Sequence, residues 1–200
     1  MDIVLATNNN HKILEIKNIL SGMDINILTL KDFPSMPEVI EDGKTFEENA
    51  FKKAKAVSLH TKKIAIADDS GLEVKILNGK PGVYSARFAG EKSTAKENNE
   101  KLLSLLEPYR DIKDRAAKFV CCIVVVNMDK ILGVFSGACE GYIDFEPKGE
   151  FGFGYDPLFY VPSYEKTFAE LGEEVKNKIS HRARALDNIK KSKQGGIWIF

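Results

Sequence analysis

Two adjacent carboxylates, Asp68-Asp69, follow the buried-strand pattern Ile64-Ala65-Ile66-Ala67 and precede Ser70-Gly71. Neighbouring like charges repel unless a cation or hydrogen-bond donors offset them. Hard divalent ions such as Mg2+ bind through one or two carboxylates together with substrate phosphates. Gly71 would let the backbone turn sharply or approach a ligand, although turns in general also favour Asp, Ser and Gly. Glu41, Glu47 and Glu48 are further oxygen donors. Glu48 has a structural task of its own, standing three residues after Thr45, where a capping-box glutamate belongs. Glu41, in the loop before that helix, has none.

Three further groups suit an anionic, aromatic ligand. Thr7-Asn8-Asn9-Asn10-His11-Lys12 lies between a strand and a helix, so it offers backbone N–H groups, side-chain amides and one ammonium at a helix N-terminus. That is a natural phosphate cradle, and equally a polar cap. The pattern of a P-loop is absent. Phe151-Gly152-Phe153-Gly154-Tyr155-Asp156-Pro157 alternates rings with glycines: rings stack on a base and glycines let backbone reach a base edge, though an aromatic turn would look the same. Ser180-His181-Arg182-Ala183-Arg184 follows Lys176, and seven Lys or Arg residues fall between 176 and 193. A solvated basic face, or a core position for His181, is the plainer reading of that segment. Together these features suit a nucleoside polyphosphate with Mg2+.

The elements that must position these groups read as a mixed α/β fold. The run 3–6 suits a buried strand, and residues 11–20 repeat Ile and Leu at helical spacing before Gly22. Thr45-Phe46-Glu47-Glu48 predicts a helix over 46–60. The strand 64–67 is expected to end on Asp68-Asp69-Ser70-Gly71, with 72–77 continuing extended and Pro81-Gly82 a turn. Thr94 starts a helix that Pro108 ends. Segments 119–126 and 131–135 flank a polar turn and predict a hairpin. Residues 173–190 read as one basic helix, with His181 and Arg184 on one face. The segment 195–200 carries no motif.

Composition narrows the classes. Lys+Arg and Asp+Glu are both 29, giving a net charge of zero over 200 residues. A balanced chain gives no general attraction to nucleic acid or anionic membranes, and neither is expected as a partner. The longest apolar run, 119–126, is far shorter than the ~20 residues of a membrane span. The N-terminal segment lacks the basic region of a signal peptide. Cys121, Cys122 and Cys139 have no metal-ligand spacing and read as buried thiols of a reducing compartment. A cytoplasmic location and one domain over residues 1–200, with no linker, are expected.

Six blocks in order resemble the inosine/xanthosine triphosphate pyrophosphatase family. They are Leu5-Ala6-Thr7-Asn8-Asn9 with Lys12, Thr45-Phe46-Glu47-Glu48-Asn49-Ala50, Ala67-Asp68-Asp69-Ser70-Gly71-Leu72, Pro81-Gly82-Val83-Tyr84-Ser85-Ala86-Arg87-Phe88, the run Phe151 to Phe159, and Ser180-His181-Arg182. The resemblance implies a long mixed central sheet flanked by helices, two lobes around a deep active-site cleft, and a homodimer. It implies Mg2+-dependent hydrolysis of ITP, dITP or XTP to the monophosphate and pyrophosphate, which cleanses the nucleotide pool. By position it makes Glu41 and Asp69 metal ligands and Asp69 the proton acceptor. Thr7, Asn8, Asn9, Asn10, His11, Lys12, Ser70, Phe153, Gly154, Tyr155, Asp156, Lys176, His181 and Arg182 become substrate-binding, with Lys53 a weaker phosphate contact. A nucleotide sensor without turnover, a phosphatase and a Maf-type pyrophosphatase are the competing readings.

Overall fold

The structure, a computed structural model, describes residues 1–194; the segment 195–200 lies outside the described residues. The described strands are β1 (Asp2–Leu5), β2 (Asn26–Thr29), β3 (Ile64–Val74), β4 (Ala116–Asn127), β5 (Lys130–Ile143), β6 (Phe159–Val161) and β7 (Lys166–Thr167). The helices are α1 (Asn10–Ile19), α2 (Phe46–Thr61), α3 (Ala95–Leu106), α4 (Phe168–Ile179) and α5 (His181–Gln194). The strands form one mixed sheet in the order β2-β1-β3-β4-β5-β6-β7. β1 pairs in parallel with β2 and β3, and β6 pairs antiparallel with β5 and β7. The mixed α/β class expected from the sequence is the one observed.

The chain divides into two compact units, each assembled from separate stretches. The first comprises Met1–Asp69, Cys121–Gly137 and the segment from Arg182 onward; the second comprises Ser70–Val120 and Ala138–His181. In the first unit, side-chain alternation along the strands separates two apolar layers. Ile3, Leu5, Ile66, Cys121, Ile123 and Val125 pack with Ile16 and Ile19 of α1 and Leu186 and Ile189 of α5. Val4, Ala6, Ala65, Ala67, Cys122, Val124 and Val126 pack with Ala50, Ala54 and Val57 of α2. Each fully buried Ile, Leu or Val contributes about 1.5–3 kcal/mol. The second unit centres on Leu102 and Leu106 of α3 with Phe119, Phe159 and Phe168. Phe119 and Phe159 meet at 4.6 Å between ring centroids, and Phe159 and Phe168 at 5.0 Å.

Two expected boundaries are corrected. The strand does not end on Asp68-Asp69-Ser70-Gly71: β3 runs eleven residues, straight through that segment to Val74. Extension persists there because both carboxylates meet cationic partners. The basic segment is not one helix either. α4 ends at Ser180, whose φ of −67° and ψ of 162° are extended, and α5 starts anew at His181; Gly172, at φ 76°, also interrupts α4. The break buries His181 and leaves Arg184 exposed, so the two do not share one presented face. The three cysteines are free and buried, as expected. Among the described residues no helix is long and apolar enough to cross a membrane.

Candidate functional site

The alternation that layers the first unit also parts the two carboxylates. Asp68 shares the parity of Ile66 and emerges on the side of α1 and α5. Asp69 shares the parity of Ala65 and Ala67 and emerges on the side of α2. Their partners follow from this. Asp68 is 1% exposed and accepts from Arg182 Nη2 at 2.8 Å and Nε at 3.2 Å, with Lys12 Nζ at 3.0 Å. Arg182, fully buried, also donates through Nη1 to Glu15 of α1. Burial alone would raise the Asp68 carboxyl, but Lys12, Arg182 and Lys53 hold it well below the usual carboxylate range. Burial likewise opposes the charge on Arg182, and Asp68 and Glu15 more than reverse it, so its pKa is raised.

Asp69 has a different environment. Its Oδ2 accepts from the Asn49 amide at 3.1 Å, and its Oδ1 lies 3.5 Å from Lys53 Nζ. Lys53 also donates to Glu41 Oε2 at 2.8 Å. Asn49 and Lys53 stand four apart on α2, one turn along a common face. Burial pushes the Asp69 carboxyl up, and Lys53, Lys12 and Asn49 offset this only in part. Burial works against the Lys53 ammonium, but Asp69, Asp68 and Glu41 raise its pKa. Among the described residues no three His, Cys, Asp or Glu side chains are grouped to hold a metal. Glu41 and Asp69 are instead two carboxylates converging on one cationic position.

The loop before α1 realises the cap reading. Asn9 is the N-cap, its Oδ1 accepting from the His11 and Lys12 N–H groups at 3.0 and 3.2 Å. Thr7 Oγ1 accepts from Asn9 N at 3.2 Å, and Asn10 Oδ1 accepts from Lys31 Nζ at 3.3 Å. Asn8 and His11 are exposed. The structure thus brings Lys12 to Asp68 and Glu41 to Asp69 through Lys53, all inside the first unit.

The second unit holds the remaining candidates. Asp156 Oδ2 accepts from Lys176 Nζ at 2.6 Å and from Phe153 N at 2.8 Å. Lys176 Nζ also stands 4.4 Å from the Phe153 ring centroid, a cation–π distance. Gly152 is at φ 81°, where a Cβ would overlap Asp156 Oδ2. Tyr155 is packed in the core, its hydroxyl donating to the Ser85 carbonyl at 2.8 Å, and burial pushes its pKa up. Asn99 Nδ2 donates to the Gly154 carbonyl at 3.1 Å. His181 is buried, stacked on Phe119 with centroids 4.8 Å apart. Ser70 sits within β3. Of the ring-and-glycine loop, Phe153 is the half-buried ring.

Sequence reasoning passed over Glu15, Asn49 and Asn99. Glu15 follows Lys12 by three and Asn49 precedes Lys53 by four, so helical spacing to a candidate cation was the available signal for both. Asn99 had no comparable signal, because its partner is 55 residues away.

The architecture, a seven-stranded mixed sheet flanked by helices, is that of an α/β protein. A model of the Ham1 family matches residues 3–192, and the chain belongs to that family. It is 52% identical over 186 residues to the dITP/XTP pyrophosphatase of Desulforamulus reducens, covering 93% of this chain and 92% of that protein. The dITP/XTP pyrophosphatase of Clostridium perfringens is 49% identical over 198 residues, covering 96% and 97%. Among solved structures, the HAM1 protein of Coxiella burnetii superposes with a TM-score of 0.89 at 41% identity, covering 98% of this chain and 99% of that one. The Ham1 protein of Staphylococcus aureus gives 0.86 at 44%, covering 98% and 100%.

Proposed function

We propose that this protein is a Mg2+-dependent nucleoside triphosphate pyrophosphohydrolase that converts ITP, dITP or XTP to the monophosphate and pyrophosphate. The carrying observation is the pair Glu41 and Asp69 facing one ammonium, in a chain about half identical throughout to proteins named dITP/XTP pyrophosphatase. The donor set fits the cation. Lys53 Nζ already stands as a positive charge 2.8 Å from Glu41 and 3.5 Å from Asp69. Two carboxylates completed by water and substrate phosphate oxygens are what Mg2+ prefers. Glu41 and Asp69 would hold it, and when bound it would neutralise charge developing on the phosphates.

The remaining chemistry falls to the chain itself. Water attacks the α-phosphorus, the bond from that phosphorus to the bridging oxygen breaks, and pyrophosphate leaves with the electron pair. The Asp69 carboxylate accepts the proton of the attacking water. Lys12 and Lys53 offset phosphate charge, with the helix start at 7–12 contributing dipole and N–H donors. Arg182 acts through Asp68, holding the carboxylate that holds Lys12. Phe153 offers a stacking face, and Lys176, steadied by Asp156, a donor for a base oxygen. A homodimer is part of this reading.

A panel of triphosphates with Mg2+, assayed separately for pyrophosphate and orthophosphate, tests the reading. ITP should give IMP and pyrophosphate. IDP with orthophosphate as first products would make the protein a phosphatase. Preference for modified pyrimidines would favour a Maf-type activity, and tight binding without turnover a sensor.

A further inference from the structure

Asn49 is 1% exposed in the first turns of α2. Asparagine is a mediocre helix former, and a buried amide is costly unless both ends are hydrogen-bonded. Both ends are. Oδ1 accepts from the Gly43 N–H at 2.7 Å, and Nδ2 donates to Asp69 Oδ2 at 3.1 Å. The chemistry fixes the amide's orientation, because a backbone N–H only donates and a carboxylate only accepts. Aspartate would lack the donor, and leucine of similar shape would lack both groups.

Gly43 completes the contact. A Cβ there would come within 2.5 Å of Asn49 Oδ1 and 2.9 Å of Glu48 Cβ, so glycine is what lets the loop lie on α2. Glu41 is two residues upstream of that anchor. One amide therefore ties down the loop that carries Glu41 and one oxygen of Asp69. The other Asp69 oxygen, Oδ1, is left toward Lys53, the position on which Glu41 Oε2 also converges.

We propose that Asn49 is a positioning residue whose amide, bridging Gly43 and Asp69, sets the separation of the two cation-binding carboxylates. The inference rests on the reading of Glu41 and Asp69 as those carboxylates. Groups that orient metal ligands typically influence metal affinity about 10- to 100-fold. A merely structural Asn49 would lower stability and leave the affinity of the folded protein unchanged.

The test is equilibrium Mn2+ binding to the substrate-free protein, followed by electron paramagnetic resonance of free Mn2+, with thermal melting to establish folding. Asn49→Leu keeps the shape and removes both hydrogen bonds. Gly43→Ala displaces the same amide from the loop side and decides the matter if Asn49→Leu does not fold. Both should bind Mn2+ about 10- to 100-fold more weakly. In turnover they should require more Mg2+ and lower kcat, with the substrate KM at saturating Mg2+ little changed. Wild-type Mn2+ affinity in folded Asn49→Leu or Gly43→Ala, with binding lost in Asp69→Asn, overturns the proposal and leaves the site reading intact. Wild-type affinity in both Asp69→Asn and Glu41→Gln overturns that reading and the proposal with it.

Discussion

Asp68 and Asp69 are adjacent in the chain, yet substitution should affect them in different ways. Asp69→Asn keeps the size and an acceptor for Asn49 but removes the charge and, on the proposed reading, the proton acceptor. General bases contribute about 10²–10⁴-fold, and loss of a metal ligand adds to that. A fall in kcat of at least ~10³-fold in a protein that melts normally is expected; near-wild-type turnover would misplace the catalytic centre. Glu41→Gln should chiefly raise the Mg2+ needed for half-maximal rate. Asp68→Asn instead removes one anionic partner of the buried Arg182, which also donates to Glu15. Removing one partner of a buried ion pair costs about 3–5 kcal/mol, so the melting temperature should drop at neutral pH. The Asp68 pKa is lowered, so this stability is fully present above the ordinary value of 3.8 and is lost as pH falls through the folded value. Melting curves of wild type and Asp68→Asn should therefore converge as the pH is taken below 3.8; a difference constant down to pH 2 would show that the Asp68 charge is not its source.

At the scale of elements, one carboxylate ties the loop from Phe151 to Leu158 to α4. Asp156 holds the loop backbone at Phe153 and the Lys176 ammonium together. Gly152→Ala would press a methyl against that carboxylate at a φ of 81°, where a side chain is strained. A backbone conformation of this kind costs on the order of 1–3 kcal/mol. If this loop holds the base, KM for ITP should rise more than kcat falls, and steady-state kinetics on the folded variant would read it. The sequence announces elements whose determinants are local. Thr45 and Thr94 cap α2 and α3, each accepting from the N–H three residues on, and Asn9 caps α1. It conceals what depends on distant partners. β3 passes through two aspartates because Arg182, 114 residues away, and Lys12 and Lys53 meet them. Composition read 173–190 as one helix, since nothing local marks Ser180 as a break. The candidate site is legible in the same measure: alternation along a strand separates Asp68 from Asp69, while helical spacing puts Glu15 near Lys12 and Asn49 near Lys53 without naming the β3 carboxylate and the Arg182 guanidinium that complete their contacts.

On the scale of the molecule, charge is balanced and discrimination must be local. With 29 basic and 29 acidic residues there is no field to gather polyanions in general. Fluorescence anisotropy should therefore show no retention of duplex DNA or RNA at about 0.15 M salt. Every nucleoside triphosphate presents the same phosphates, so Lys12, Lys53, Glu41 and Asp69 cannot tell one base from another. On the proposed reading, Phe153 is the ring offered to the base, with the Lys176 ammonium 4.4 Å from its centroid. An ammonium only donates, so it can pair with a 6-oxo group and not with the 6-amino group of adenine. Opposite adenine it would face a donor where the 6-oxo group offers an acceptor, and each pair lost in this way costs about 1–3 kcal/mol, on the order of tens-fold in kcat/KM. ITP should accordingly be preferred to ATP by at least that factor. Lys176→Met, which keeps the length and removes the donor, should shrink the preference by lowering kcat/KM for ITP and leaving the small value for ATP nearly unchanged. Competitive turnover of mixed ITP and ATP measures the ratio directly. Equal kcat/KM for the two nucleotides in the wild-type protein would remove the 6-oxo preference, and an unaltered ratio in a folded Lys176→Met variant would move the reading group elsewhere.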